Sequence, residues 1–315
     1  MERKDIHIIA RNSDISQKSI QKALQDHVFQ PKNHWDDFFR ISMMVLGIGF
    51  FVIGLIFFFA YNWQDLHKFA KMGIIEGLII LLIVAYFRLK IEPLFKQIIL
   101  SAGALLVGAL FAVFGQVYQT GANAYDFFLA WTLFIALWTL ASKFPPLWII
   151  FIALINISFI LYVVQVANHW SWLYTYGVLT LFNGMVCMIA ILLNLTGRWE
   201  KIPAYFIQLT GLASIAMATI GICLGIYKSY DPNFYILLGL TAYLYGIGIY
   251  YGIKYYNLFF LTTIPFSLII IISASLLKAS EREEMVFVIG LFIIVSVTLL
   301  VRALLSFQRK HRYAK

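Results

Sequence analysis

Ten long apolar runs, separated by short polar breaks, fill this amino-acid sequence from residue 41 to residue 306. A helix needs about 20 apolar residues to cross the hydrocarbon core of a bilayer, where only internally hydrogen-bonded backbone is stable. The runs therefore predict an all-α fold, a polytopic transmembrane helical bundle of about ten spans. We place the spans at residues 41–61, 70–88, 96–117, 127–142, 146–165, 172–194, 204–227, 233–252, 257–277 and 284–306.

The composition agrees with lipid as the main solvent of the chain. Of its residues, 62% are hydrophobic and 12% are charged, whereas soluble domains carry about a quarter of charged residues. The excess of 24 Lys and Arg over 15 Asp and Glu would suggest nucleic acid as a partner in a soluble protein. Here the basic residues lie mostly at the chain ends and in alternate loops, so we expect membrane lipids with anionic headgroups as partners, and no nucleic acid.

The distribution of Lys and Arg also predicts the orientation. With the N-terminus inside, 19 of these residues lie on the cytoplasmic side and five lie outside, as the positive-inside rule requires. An even number of spans then places both termini in the cytoplasm. The chain divides into a cytoplasmic segment (1–40) with an amphipathic helix at 14–29, a transmembrane domain (41–306, with parts 41–150 and 151–306) and a basic cytoplasmic tail (307–315).

Motifs of known enzyme classes are absent from the sequence. It has no P-loop, no dinucleotide fingerprint, no zinc-protease or esterase motif, and no pair of histidines four residues apart. The two cysteines, Cys187 and Cys223, lie singly within apolar runs. We therefore expect no cofactor and no metal site, and we assign no catalytic residue.

Small residues four apart allow transmembrane helices to pack closely. Three glycine pairs have this spacing, and they predict packing within the chain or, alternatively, a homo-oligomer interface: Gly73 with Gly77, Gly221 with Gly225, and Gly248 with Gly252.

Polar side chains are dense in three segments that the topology places outside, at residues 59–68, 115–126 and 165–170. Glu76 is exceptional because it lies inside an apolar span, about 8 Å beyond Lys71 at 1.5 Å per residue, and charges within spans usually face a cavity or a partner. We predict that one outward-facing polar cavity is lined by Tyr61, Asn62, Trp63, Glu76, Gln116, Tyr118, Gln119 and Asp126.

Structural roles are open for the same residues. Gln116, Tyr118 and Gln119 could complete a capped helix end, and Asp126 could complement a helix dipole. Glu76 could be a protonated structural acid, or it could pair with a lysine near the surface.

Several motifs in the first half of the chain occur together. Phe-Ala-Tyr-Asn-Trp closes the first span, Lys71 opens the second, and Gly-x6-Gly-Gln-x-Tyr-Gln, from Gly108 to Gln119, ends the third. Residues 127–131, Phe-Phe-Leu-Ala-Trp, continue the pattern. Over residues 14–150 the chain resembles the domain-of-unknown-function 2157 family of predicted bacterial membrane proteins. The resemblance implies an integral membrane protein and implies no activity. We expect its location to be the bacterial cytoplasmic (inner) membrane.

Three functions are compatible with these features. The first is binding or transport of a small or lipid-linked molecule through the outward-facing cavity, with Glu76 as the titrating group. The second is a membrane-embedded enzyme acting on an outer-leaflet substrate, in which Glu76 or Asp126 is the acid or base and His67 or His169 assists. The third is a non-catalytic assembly or scaffold protein.

Overall fold

A computed structural model describes residue 19 and residues 33–61, 66–118, 121, 123–197, 201–228, 231–279 and 285–313. Ten long helices and no strands occur within these ranges. In chain order they are α1 (Asn33–Tyr61), α2 (Lys68–Arg88), α3 (Pro93–Tyr118), α4 (Ala124–Ser142), α5 (Pro145–Gln165), α6 (Trp172–Thr196), α7 (Ala204–Tyr227), α8 (Pro232–Lys254), α9 (Leu258–Ala279) and α10 (Met285–Tyr313).

Each of the ten predicted spans corresponds to one of these helices, so the predicted fold class is confirmed. In the part of the chain that the structure describes, nine helices, α2 to α10, are long and apolar enough to cross a membrane. The amphipathic helix predicted at residues 14–29 lies outside the described residues, apart from Ser19, which is helical.

Proline and left-handed residues set the helix boundaries. Pro93, Pro145 and Pro232 each occupy the first residue of a helix, where the missing N–H has no helical partner to lose. Lys143, with a φ of 50°, terminates α4. The predicted break between the fourth and fifth spans is therefore real, and the run at 127–142 belongs to a helix of 19 residues.

The chain forms two compact units, residues 1–113 and residues 114–315. In the first unit, Arg40 ties α1 to the segment that precedes α3. Its guanidinium lies 3.4 Å from a carboxylate oxygen of Glu92 and 5.2 Å from the ring centroid of Phe95. Two sequence-distant parts of this unit are thus joined by an ion pair and a cation–π contact.

In the second unit, α4 packs on α5, α6 packs on α7 and α8, and α9 packs on α7, α8 and α10. Residues of the five helices α5 to α9 form an apolar core. It includes Ile152, Phe206, Ala218, Phe260 and Ile264. This arrangement leaves most of α10 exposed, as expected for a helix that faces lipid.

Two of the three glycine pairs make the close packing predicted within the chain. A Cβ atom at Gly221 would lie 2.7 Å from Leu237 and from Tyr176, and one at Gly252 would lie 2.8 Å from Leu261. At Gly73 and Gly77, by contrast, no described heavy atom lies within 4 Å of the Cβ position.

Polar residues within the spans of the second unit bind neighbouring helices. Asn156 of α5 and Asn183 of α6 form a reciprocal pair of amide hydrogen bonds with N···O distances of 3.2 and 2.7 Å. Asn194, near the end of α6, binds the backbone N–H and C=O of Ile202, which lies just before α7, at 2.8 and 2.9 Å. Buried amides therefore link α5 to α6, and the end of α6 to the residue pair that precedes α7.

Candidate functional site

The predicted outward-facing residues are divided between the two units of the chain. In the first unit, Tyr61 ends α1 and is 89% exposed. Asn62, Trp63 and, in the second unit, Gln119 lie outside the described residues. That these residues line one cavity with the others stays a prediction.

Glu76 lies in the third turn of α2 and is exposed, as are Gly73 and Gly77 beside it. The spacing of these glycines predicts close helix packing on this face of α2. Among the described residues nothing approaches either glycine closely enough to form such an interface. Glu76 therefore lies on a face of α2 that is accessible, and its role as a cavity residue remains a hypothesis.

Gln116 and Tyr118 lie in the last turn of α3, and both are exposed. The Tyr118 ring packs on Phe114 of the same helix, with 4.8 Å between the ring centroids. Both side chains are thus available to a ligand or to water at the end of this helix.

Asp126 has a defined structural role at the start of α4. Its Oδ2 accepts the backbone N–H of Asn123 at 3.0 Å, forming half of a capping box. The backbone N–H of Tyr125 donates to Oε1 of Gln165 at 2.9 Å, which links the beginning of α4 to the end of α5. Asp126 therefore lies in the first turn of α4, where a carboxylate complements the helix dipole as the structural alternative expected, and it also takes part in capping the helix.

A second polar group joins α6 and α8 at the same end of the bundle. Ser171 caps α6, Asp231 caps α8, and the Ser171 hydroxyl donates to Oδ2 of Asp231. This bond, helped by the Asn233 amides and the charge of Lys228, holds the pKa of the Asp231 carboxyl below its usual value, although burial opposes the shift. The group is a structural node that sequence reasoning missed, although Ser before a helix and Asp-Pro are both start signals.

The second unit also contains a crevice of about 290 Å³ between α6, α7, α8 and α9. Its walls are mostly aliphatic and aromatic, and they include Met188 and Leu192 of α6, Ile215 of α7, Leu244 of α8 and Ile264 of α9. Leu192 is 54% exposed and Tyr250 is 63% exposed. The crevice is therefore accessible from the outside of the helices that form it.

Glycines determine how closely the helices around this crevice approach one another. A Cβ atom at Gly211 would lie 2.7 Å from the Phe260 ring, and one at Gly248 would lie 2.5 Å from Ile264. Larger residues at these two positions would push α7 and α8 away from α9. The crevice thus adjoins a tightly packed region, and it has the fixed walls typical of preformed ligand sites.

The buried hydroxyl groups of the crevice wall are already hydrogen-bonded. Ser214 donates to the carbonyl oxygen of Thr180 at 2.8 Å. The Tyr245 hydroxyl lies 2.6 Å from Oγ of Ser267, which in turn lies 2.6 Å from Oγ1 of Thr219. Among the described residues no group of three His, Cys, Asp or Glu side chains could hold a metal ion. The wall is therefore suited to holding an apolar group.

Lys254, the last residue of α8, lies at one end of the crevice among tyrosines. Its Nζ donates to the Tyr250 hydroxyl at 3.3 Å and lies 5.4 Å from the Tyr250 ring centroid and 5.6 Å from that of Tyr255. Within the described ranges no carboxylate forms an ion pair with it. The position of these tyrosines beside a cavity follows from the packing of α6 and α9 on α8.

Comparison with known proteins found a similarity in the first part of the chain. Residues 10–148 match the model of a family described as predicted membrane protein, domain of unknown function 2157, so the resemblance seen in the sequence is confirmed. No curated protein and no solved structure matches. The chain is an integral membrane protein with multiple spans, and its crevice lies beyond the matched segment.

Proposed function

We propose that this multi-spanning membrane protein binds a lipid of the surrounding bilayer, with an acyl chain in the crevice between α6, α7, α8 and α9. One observation carries the proposal: a cavity of about 290 Å³ with mostly apolar walls is accessible within helices whose length and composition suit a bilayer. Its volume is near the lower end of ligand pockets, which is about 300 Å³.

The physical reason is packing rather than transfer from water. Lipid tails are as apolar as the helices, so the hydrophobic effect does not favour a chain in the crevice over a chain in the bilayer. A void, however, loses the dispersion contacts of the atoms that line it. A flexible alkyl chain that enters from the side restores these contacts, and this supports a lipid rather than a rigid polar ligand.

The orientation assigned by the positive-inside rule makes this a site of the cytoplasmic leaflet, because the end of α8 at Lys254 then faces the cytoplasm. We also propose the bacterial cytoplasmic membrane as the location, in line with the family resemblance. Binding or transport through the separate outward-facing cavity remains a second hypothesis, favoured by the exposure of Glu76 within α2.

Catalysis has less support than binding. Asp126 and His67, two of the groups considered for acid–base chemistry, cap α4 and α2 respectively. The buried hydroxyl groups of the crevice wall are bonded to carbonyl oxygens or to one another.

The experiment is photolabelling in nanodiscs with a phospholipid that carries a diazirine in its acyl chain, followed by mass-spectrometric mapping. We expect labels on crevice residues of α6 and α8. Met188→Trp fills the crevice with a bulky ring and should reduce this labelling several-fold. Ile189→Trp is the matched control, because Ile189 is the next residue of α6, is 54% exposed and does not line the crevice.

Equal labelling of crevice and lipid-facing residues in the wild type would contradict the proposal. Crevice labelling that Met188→Trp leaves unchanged would contradict it as well. Thermal unfolding of both variants checks that the tryptophan has not disrupted the fold.

A further inference from the structure

Lys254 lies at the end of the crevice. Among the described residues no carboxylate forms an ion pair with it. We infer that Lys254 and Tyr250 bind the headgroup of a phospholipid with net negative charge, whose acyl chain occupies the crevice. The inference rests on the proposed function and adds the class of headgroup.

The ammonium group of Lys254 can donate hydrogen bonds to an anionic ligand. Lys254 has three N–H donors and no acceptor, and the Tyr250 hydroxyl accepts one of these bonds. At least one donor is therefore available for an anionic oxygen. Because the Tyr250 oxygen accepts from Lys254, its own O–H is free to donate in the same region, so a phosphate would meet one cationic and one neutral donor.

Neighbouring tyrosines hold the ammonium group of Lys254 in place. It is bonded to the hydroxyl group at the edge of the Tyr250 ring and lies 5.6 Å from the ring centroid of Tyr255, within the range of cation–π attraction. The turn that follows is short and fixed. The Asn257 N–H donates to the carbonyl oxygen of Gly252 at 2.9 Å, with Tyr256 in the left-handed region at a φ of 55°.

The positive charge of Lys254 adjoins the apolar part of the crevice. Lys254, Tyr250 and Tyr255 line the same crevice as the apolar residues of α6. Lysine and tyrosine at the end of a span lie at the depth of lipid headgroups. An amphiphile with an anionic head therefore matches both parts of the site, whereas free phosphate or a soluble phosphate ester would leave the apolar part empty.

The test compares two diazirine phospholipids with identical acyl chains, one anionic and one zwitterionic, in nanodiscs containing the full chain. Labelling of the crevice is divided by labelling of α10, which faces lipid along most of its length, so that general enrichment of anionic lipid around the protein cancels. We expect the wild type to prefer the anionic lipid about fivefold, the effect of one basic residue at an anionic surface.

Lys254→Gln should remove this preference while the crevice remains labelled. Lys278→Gln is the matched control, because Lys278 also lies over a tyrosine ring, 5.8 Å from the centroid of Tyr227, but at the other end of α9 and outside the crevice. It should keep the wild-type preference. Soluble glycerol phosphate added in excess should leave the labelling unchanged.

Equal labelling by both lipids in the wild type, or a preference that survives Lys254→Gln, would overturn the headgroup assignment and leave the acyl-chain site intact. Displacement by glycerol phosphate would also overturn it, in favour of a soluble anion. If neither lipid labels the crevice of the wild type, the proposed function itself is overturned.

Discussion

The amide pair between α5 and α6 offers a direct test of how polar groups stabilise this bundle. Asn183 is fully buried and exchanges two hydrogen bonds with Asn156, which is 9% exposed. Interhelical hydrogen bonds in membranes contribute about 0.6 kcal/mol each, and an unpaired buried amide costs about 1–3 kcal/mol. Asn183→Leu removes both bonds and leaves Oδ1 of Asn156 without its donor, so we expect a loss of about 2 kcal/mol in the free energy of unfolding.

The double variant Asn156→Leu/Asn183→Leu separates pairing from burial. With both amides removed no unpaired group is left, so the double variant should lie closer to the wild type than the sum of the single variants predicts. Unfolding in mixed detergent, followed by circular dichroism, gives the four free energies of the cycle. A coupling energy of at least about 1 kcal/mol is expected. Additive losses would show that the two side chains do not act as a pair, and would refute the reasoning.

Three further predictions concern the Ser171–Asp231 link, the predicted outward-facing cavity and the topology. Because the pKa of Asp231 is lowered in the folded state, its contribution to stability is present above the unfolded pKa of about 3.9 and is lost as the pH falls through the folded pKa; Asp231→Asn should flatten this acid loss in thermal unfolding, and an unchanged pH profile would contradict the Ser171–Asp231 link. If Glu76 lines a ligand-binding cavity, Glu76→Gln should keep the yield and fold but abolish ligand-induced thermal stabilisation; equal stabilisation of variant and wild type would exclude this role. In a background without Cys187 and Cys223, cysteines at Asn123 and Asn168 should react with an impermeant reagent from outside and a cysteine at Tyr313 only from inside; outside labelling at residue 313 would contradict the even number of spans.

The helices were predictable because their causes are local in the sequence. A bilayer requires long apolar helices, and proline at positions such as 93, 145 and 232 starts a new helix wherever it falls. The intrachain packing at Gly221 and Gly252 was predictable for the same reason, since four-residue spacing places both glycines of a pair on one helix face. Gly73 and Gly77 have the same spacing but lack a described neighbour, so spacing alone does not identify the partner.

The candidate site was much less predictable. Polar residues near span ends drew attention to Asp126, which the structure assigns to a capping box, because a carboxylate at a helix start has the same sequence signal whether it binds a ligand or caps the helix. The crevice residues carry no such signal. Met188, Ile215 and Leu244 are ordinary apolar residues of three different spans, and their convergence depends on how those spans pack.

The sequence by itself determined that the chain crosses the membrane, roughly where along the chain each span lies, and which loops carry positive charge. These properties follow from the length and polarity of single segments. Each segment interacts with lipid and water according to its own residues, independently of the other segments. Only the tertiary structure decided that Asn156 meets Asn183 and that Ser171 meets Asp231. It alone brought Lys254 to the end of an apolar crevice, because such contacts join residues of different helices, and helix pairing depends on the shapes of all the side chains between them.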